Sequence, residues 1–219
     1  MIRSELVAKF REENPEITKR VITDVVLYSW LEEGNREICA KTRCIVDQDG
    51  TTIETSEDDQ SWDLTNVIDK FYDIDSYPAS VVVYNGKRLD KKTMAQLDAE
   101  KINWRSASSG IPKAYYRRGK WLYLDRPINE AADDLIIYAV LIPDDFNDDV
   151  MPFNQLEYLE NFHYSLIYYL QKRAKMKIGK SDEEVKALAE YDAYIRWMKS
   201  ELGGGKYSAI TYHRSSAYK

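Results

Sequence analysis

The chain has 219 residues, of which 44% are hydrophobic, and a formal net charge of −6 at pH 7. This hydrophobic content is ordinary for a folded protein, so we expect a packed core in one large domain or two small ones. The negative charge argues against a protein that holds nucleic acid by neutralising phosphates, because such domains are usually strongly basic. It does not exclude a protein that surrounds DNA without gripping it.

The only cysteines are Cys39 and Cys44. Two cysteines are too few for a zinc site or a secreted disulfide framework, so free thiols are expected. The first residues, MIRSELVAKFREENPEI, carry charges and no apolar stretch, which argues against a signal peptide. No apolar run has the length of a membrane span. We therefore expect a soluble protein made in the cytoplasm, with no membrane partner.

Both ends of the chain show helical patterns. Near the start, Ile2, Leu6 and Phe10 share one face at helical spacing, and Ser4 is placed to cap this first helix. A second helix is predicted over residues 17–37, with apolar residues on more than one side.

The middle of the chain carries strand and turn signals. Residues 42–46 and 51–55 are predicted to pair as a hairpin around the Asp-Gly turn that ends at Gly50. Residues 135–142 lack polar alternation, which predicts a strand buried on both faces. The other predicted elements are a strand over 79–84 ending at the turn Asn85-Gly86, a short helix over 91–102, and a hairpin of 113–117 with 120–124 around Arg118-Gly119.

The helical pattern returns after Pro152. Its period predicts one long helix over residues 153–178, and Ser181 opens a last helix that three glycines end. The apolar positions predicted to form the core face of the long helix are Leu156, Leu159, Phe162, Leu166, Ile167 and Leu170.

These elements predict an α+β fold in which a helical bundle is built from both chain ends and an antiparallel β-domain is inserted between its parts. The predicted domains are 1–37 and 150–202 for the two parts of the bundle, 38–149 for the β-rich insert, and 203–219 for an extended C-terminal arm.

No residue pattern indicates catalysis. His163 lies among apolar positions, where an interior histidine with its hydrogen bonds satisfied is favoured over a ligand, and His213 has no evident carboxylate partner. A cluster of aspartates lacks EF-hand spacing and fits a solvated helix cap better than a metal site; it comprises Asp144, Asp145, Asp148 and Asp149. We therefore expect no enzyme activity, cofactor or metal.

The last residues are basic and aromatic. Residues 203–219 contain no acid and begin with three glycines. One interpretation is a disordered tail, and the other is an arm that adds a strand to the sheet of a partner. The side chains expected to anchor such an arm are Lys206, Tyr207, Ile210, Tyr212, Arg214, Tyr218 and Lys219.

The order of the segments after Gly110 resembles a known family. Gly-Ile-Pro at 110–112 precedes an aromatic strand with Tyr115, and Asp-Arg-Pro at 125–127 ends the next strand. A loop with Ala131 and a long apolar strand with Tyr138 follow, before an acidic stretch, a proline and a helix with tyrosine and histidine. This order is similar to the head–tail adaptors of tailed, particularly short-tailed, bacteriophages, also called connectors or tail tubular proteins.

The resemblance implies a structural protein of the virion. Such a protein forms a homo-oligomeric, dodecameric ring between the portal protein and the tail, and DNA passes through the ring without sequence-specific binding. The resemblance also implies that residues 203–219 dock on the portal and that the long helix forms the ring body. The β-domain would meet neighbouring subunits or the nozzle or tube proteins of the tail.

The residues themselves leave two other functions open. Since 17 residues are tyrosines, the β-domain could be a binding module for a carbohydrate or a protein. An unrecognised carboxylate pair could also support an enzyme. A high-order ring in solution would favour only the adaptor.

Overall fold

The structure is a computed structural model that describes residues 1–74, 81–100, 103–129, 134–146, 150–179 and 181–203. It divides the chain into two compact units. We call residues 1–45, together with the chain from residue 142 onward, the helical unit, and residues 46–141 the β unit.

The helical unit is built on four long helices. The helices of the described residues are α1 (Arg3–Glu13), α2 (Asp24–Thr42), α3 (Leu64–Val67), α4 (Met94–Glu100), α5 (Tyr164–Ile178) and α6 (Ser181–Gly203), with short 3₁₀ segments at Trp104–Ser106, Phe153–Gln155 and Glu157–Phe162. Helix α5 packs against α1, α2 and α6, and α2 also packs against α1 and α6. The last helix, predicted to open at Ser181 and to end at the glycines, is confirmed.

The starts of the first two helices differ from the prediction. Ser4 lies inside α1, where the backbone N–H of Ile2 donates to the Glu5 carboxylate at 2.8 Å. Helix α2 begins at Asp24 rather than at residue 17 and continues to Thr42. The Arg11 guanidinium explains the later start, because it donates to the carbonyl oxygens of residues 17 and 22 at 2.5 and 2.6 Å. Carbonyls held in this way are not free for helical hydrogen bonds.

The described part of the β unit contains three small sheets. Its strands are β1 (Thr51–Ile53), β2 (Ser61–Asp63), β3 (Phe71–Asp73), β4 (Val81–Tyr84), β5 (Lys87–Arg88), β6 (Asp90–Lys91), β7 (Ala114–Arg118), β8 (Trp121–Leu124), β9 (Leu135–Tyr138) and β10 (Val140–Leu141). The sheet orders are β1-β9-β4-β5, β10-β3 and β2-β8-β7-β6. All described pairs are antiparallel except β6 with β7, which is parallel. The predicted α+β class is confirmed.

A predicted turn and a predicted hairpin both form. Strands β4 and β5 pair across Asn85-Gly86, whose φ angles of 46° and 69° are those that a tight hairpin turn requires. Strands β7 and β8 pair across the predicted turn, from Tyr115 opposite Leu124 to Arg118 opposite Trp121. Residues 79, 80, 101 and 102 of the predicted elements lie outside the described residues.

The first predicted hairpin is wrong. Residue 42 ends α2, and β1 pairs with β9 instead of with residues 42–46. The Asp47 carboxylate accepts hydrogen bonds from the Gly50 backbone at 3.0 Å and the Thr51 hydroxyl at 2.8 Å. This local turn leaves Val46 bridged to Val140, so the residues on both sides of the turn pair with the same stretch of chain.

The stretch 135–142 is not one strand buried on both faces. It forms β9 and β10 in two different sheets. Leu135 and Ile137 are buried while Ile136 and Tyr138 are half-buried, and Ile142 is exposed. One face therefore supplies the core, and the other is only partly covered.

The long helix predicted over 153–178 begins only at Tyr164. The 3₁₀ segments Phe153–Gln155 and Glu157–Phe162 occupy the positions before it. The backbone N–H of Phe153 donates to the buried Asn35 side chain at 3.2 Å, and the Asn154 side chain accepts from the Asp144 backbone at 2.8 Å. These bonds to distant residues hold a conformation that the helical period does not predict.

Candidate interaction surface

The predicted core face of the long helix is buried except at one end. Leu156 is half-buried between the two 3₁₀ segments. The other members are buried in the helical unit: Leu159, Phe162, Leu166, Ile167 and Leu170. These side chains pack the interior, so any surface that meets a partner lies elsewhere on the unit.

An open aromatic groove lies between α5 and α6. We define the aromatic groove by Tyr168, Glu190, Ala193, Tyr194 and Trp197. Helix α6 packs inward with Tyr191 and Met198 among other residues, whereas the Trp197 side chain is 44% exposed. Tyr168 and Tyr194 beside it are half-buried. A partly exposed aromatic cluster of this kind suits a contact with another protein, because tyrosine and tryptophan are enriched at protein interfaces.

The rings of the aromatic groove contact one another. The Tyr168 and Tyr194 ring centroids are 5.1 Å apart, and those of Tyr194 and Trp197 are 5.0 Å apart. The Tyr194 hydroxyl donates to the Asn161 carbonyl oxygen at 3.1 Å. Burial and the neighbouring Tyr168 raise the pKa of Tyr194 to about 12. Its hydroxyl therefore stays neutral and keeps the proton that it donates to Asn161.

A second aromatic surface involves the other side of α5. Trp30 lies under the Arg173 guanidinium at 5.5 Å and the Lys177 ammonium at 5.7 Å from its ring centroid. We call these three residues the basic patch. Lys177 lies nine positions after Tyr168, so the helical period places the two residues about 180° apart around α5.

A buried charge cluster joins three helices of this unit. The Lys172 side chain of α5 is only about one-tenth exposed, and its ammonium lies 3.2 Å from the Glu37 carboxylate of α2. The same ammonium lies 4.4 Å from the Tyr169 ring centroid and 4.2 Å from that of Tyr191. Lys41 and the Tyr191 hydroxyl also contact the Glu37 carboxylate, at 2.8 and 3.0 Å.

Electrostatics keep this cluster charged. Burial opposes ionisation of Glu37, but Lys41 and Lys172 outweigh it and lower the pKa of Glu37. Burial and the charge of Glu37 raise the pKa of Tyr169 and of Tyr191. The buried cation is thus balanced by one carboxylate and two aromatic faces, an arrangement that stabilises structure.

His163 is a buried neutral histidine, as the sequence indicated. Its Nδ1 atom lies 2.8 Å from the amino group of Met1. Burial and that positive charge lower the pKa of His163 to about 4. An imidazole in this state has no free face for a substrate.

The two cysteines are buried free thiols, which confirms the prediction, with their sulfurs 3.8 Å apart. Burial raises the pKa of Cys39. Across the described ranges, no group of three or more His, Cys, Asp or Glu side chains is placed to hold a metal ion. In the same ranges, no helix is both long and apolar enough to cross a membrane. Asp148, Asp149, His213 and all the predicted arm anchors lie outside the described residues.

Most of the chain matches a known protein family. A family model described as SU10 adaptor protein matches residues 1–209. The chain belongs to this family. The comparison with curated proteins found no match.

Membership in the SU10 adaptor family confirms the resemblance to phage head–tail adaptors. The protein is a phage adaptor, a component of the virion that contacts other structural proteins of the phage. For such a protein the functional sites are contact surfaces, and the aromatic groove and the basic patch are two candidates among the described residues.

Neither surface is predicted by the helical pattern of the sequence. That pattern indicates the buried face of the long helix instead, because apolar residues at helical spacing dominate the signal. The residue that could have indicated the aromatic groove from the sequence was Trp197. It lies off the buried face of α6, at a position where a polar residue would be expected. The contact between Lys172 and Glu37 spans 135 positions of sequence and leaves no local pattern.

Proposed function

We propose that this protein joins the portal vertex of a phage capsid to the tail, as a homo-oligomeric, dodecameric ring through which DNA passes. Its role is structural, without catalysis. The observation that carries the proposal is the match of the adaptor family to residues 1–209. The net charge of −6 supports an inner wall that is acidic or neutral, along which DNA slides because few cations hold its phosphates.

The two aromatic surfaces support a ring built from identical copies. A cyclic ring needs two different surfaces on each subunit, because the first surface of one copy contacts the second surface of the next. We propose that the aromatic groove of one copy receives the basic patch of its neighbour. The carboxylate of Glu190 in the groove is opposite in sign to the exposed Lys177 in the patch, whereas Arg173 is already paired with Glu33 at 3.0 Å. The opposite charges of Glu190 and Lys177 favour this pairing over groove against groove.

In the assembled virion, the β unit faces tail proteins and residues 203–219 dock on the portal. The binding-module alternative receives less support from the tyrosines, because Tyr84, Tyr115 and Tyr116 are buried in the β unit, while Tyr72 and Trp121 are exposed. Rings used as core are not available to a ligand.

Electron microscopy and native mass measurement test the proposal. The purified protein, mixed with the portal protein of the same phage, should give rings between portal and tail in micrographs and a discrete high-order mass. A protein that neither forms rings nor binds the portal would contradict the proposal.

A charge exchange tests the subunit contact. Glu190→Lys and Lys177→Glu should each reduce ring assembly, whereas the two changes in one chain should restore it, since every interface then regains an opposite pair. Lys199→Glu is a matched control, because this exposed residue of α6 is not among the residues of the groove. Equal losses in all four variants would contradict the assignment.

A further inference from the structure

Residues 153–163 hold a conformation that their sequence does not favour. Leu156, Leu159 and Phe162 continue the helical spacing of α5 toward the N-terminus, and Pro152 precedes them, a residue favoured at the first position of a helix. Yet α5 begins only at Tyr164. The local sequence and the folded structure therefore disagree over about three turns.

The start of this segment is strained. Phe153, Asn154 and Gln155 have φ angles of 56°, 55° and 57°. These are left-handed values, which crowd the Cβ atom against the backbone and which residues other than glycine adopt singly rather than in runs. None of the three residues is a glycine. The segment therefore carries free energy that a right-handed conformation would release.

Tertiary contacts hold the strained conformation. The Phe153 side chain is fully buried, and its backbone N–H donates to the buried Asn35 side chain at 3.2 Å. Asn154 accepts from the backbone of Asp144 at 2.8 Å. Strained backbone persists only where surrounding structure determines it in this way, and such sites are often switches.

We propose that residues 153–163 are a conformational switch that becomes α-helical and extends α5 when the subunit assembles. The added eleven residues would lengthen α5 by about 16 Å. Leu159 and Phe162 lie seven and four positions before Leu166, so a helical continuation keeps all three on one face. The conversion gives up the bonds to Asn35 and Asp144 while it retains this part of the core face.

The trigger rests on the proposed function. A partner shifts such an equilibrium only if it binds the helical form more tightly than the strained form. The portal and the neighbouring subunits are the partners that an adaptor meets on assembly. The free subunit would then stay in the strained form until it reaches them.

A first test needs no partner. Asn154→Ala and Gln155→Ala favour the helix, because alanine disfavours the left-handed region and is the best helix former. Both variants should gain helical circular dichroism equivalent to up to about eleven residues and slower amide exchange over 153–163. Gln155→Gly accommodates the observed turn, so it should gain no helix and should raise the thermal midpoint by about 2–4 °C.

The control is Asn161→Ala, at an exposed asparagine in the right-handed 3₁₀ segment. This variant should change neither the helical circular dichroism nor the amide exchange over 153–163. Gln155 is exposed, so its substitutions disturb no buried contact and keep the test informative if Asn154→Ala fails to fold. Alanine variants that lose stability and gain no helix would overturn the switch.

A second test uses the portal. Hydrogen exchange of the full chain on the portal should show new protection across 153–163, and Gln155→Gly should attach roughly fivefold more weakly because it stabilises the unconverted form. Wild-type protein that attaches without new protection would overturn the switch. If wild-type protein does not attach to the portal, the proposed function fails, and the alanine variants alone decide the switch.

Discussion

Gly34 of α2 lies where no larger residue fits. A Cβ atom added there would be 2.6 Å from the Tyr169 ring, which is fully buried on α5. We expect Gly34→Ala to lower the free energy of unfolding by about 1–3 kcal/mol, because the ring has no space into which to retreat. Urea unfolding measures the change.

Ser29→Ala, at an exposed position of the same helix, is the control for the helix preference of alanine. A smaller ring should relieve the contact, so Gly34→Ala combined with Tyr169→Leu should cost less than the two single changes added together. An additive result would show that the contact between α2 and α5 is not the cause.

His163 makes stability depend on pH. Its pKa is about 4 in the folded chain against an ordinary value of 6.5. Between these values the unfolded chain binds a proton that the folded chain does not, so the free energy of unfolding falls as the pH decreases from 6.5 to 4. The full loss of unfolding free energy from this cause is about 3 kcal/mol, and no such loss occurs above pH 6.5.

His163→Gln should remove this contribution while it leaves that of the carboxylates. Urea unfolding at pH 7 and at pH 4.5 should therefore show a smaller difference for the variant than for the wild type. The same difference in both proteins would mean that the pKa of His163 in the folded chain is close to its ordinary value.

At the scale of elements, the buried charge cluster fixes α2, α5 and α6 against one another. Glu37→Gln leaves the buried ammonium of Lys172 without a carboxylate, whereas Lys172→Met leaves Glu37 paired with Lys41 and Tyr191. We expect Glu37→Gln to cost about 1–3 kcal/mol of unfolding free energy, because a buried donor loses its partner, and Lys172→Met to cost less. Thermal and urea unfolding measure which variant loses more unfolding free energy, and a larger loss in Lys172→Met would contradict the prediction.

The boundaries of the elements show where local signals were sufficient. The turn Asn85-Gly86 was predictable because its φ angles are allowed to few residue pairs. The start of α2 was not, because it depends on Arg11, whose guanidinium binds carbonyl oxygens six and eleven positions further along. A hydrogen bond made by one side chain to a distant backbone leaves no periodic signal.

At the scale of the whole molecule, residues 203–219 are proposed to attach the adaptor to the portal. Gly203 is the last residue of α6, and the segment after it has two further glycines and a basic, tyrosine-rich composition. Deletion of 204–219 should leave the thermal midpoint nearly unchanged and abolish attachment, since an added strand gains its affinity from main-chain hydrogen bonds with the partner.

A full-length variant with serine in place of Tyr207, Ile210 and Tyr212 separates the anchors from the length of the arm. It should attach weakly, while wild-type protein attaches fully in the same sedimentation assay. A truncated protein that still attached would refute the arm, and one that failed to fold would show that these residues belong to the core.

The sequence by itself determined the types of most elements, the α+β class, the last helix, the turn Asn85-Gly86, the hairpin of β7 and β8, the buried state of His163 and the resemblance to head–tail adaptors. These features depend on residue period, turn residues and order along the chain, which are local properties. Only the tertiary structure decided the pairing of β1 with β9, the late start of α5 and the aromatic groove. Each of these depends on contacts between residues far apart in sequence: Val46 with Val140, Asn35 with Phe153, and Tyr168 with Tyr194. Such contacts override local preference because a buried backbone group must find a partner and a buried ring must fill space, wherever in the chain that partner lies.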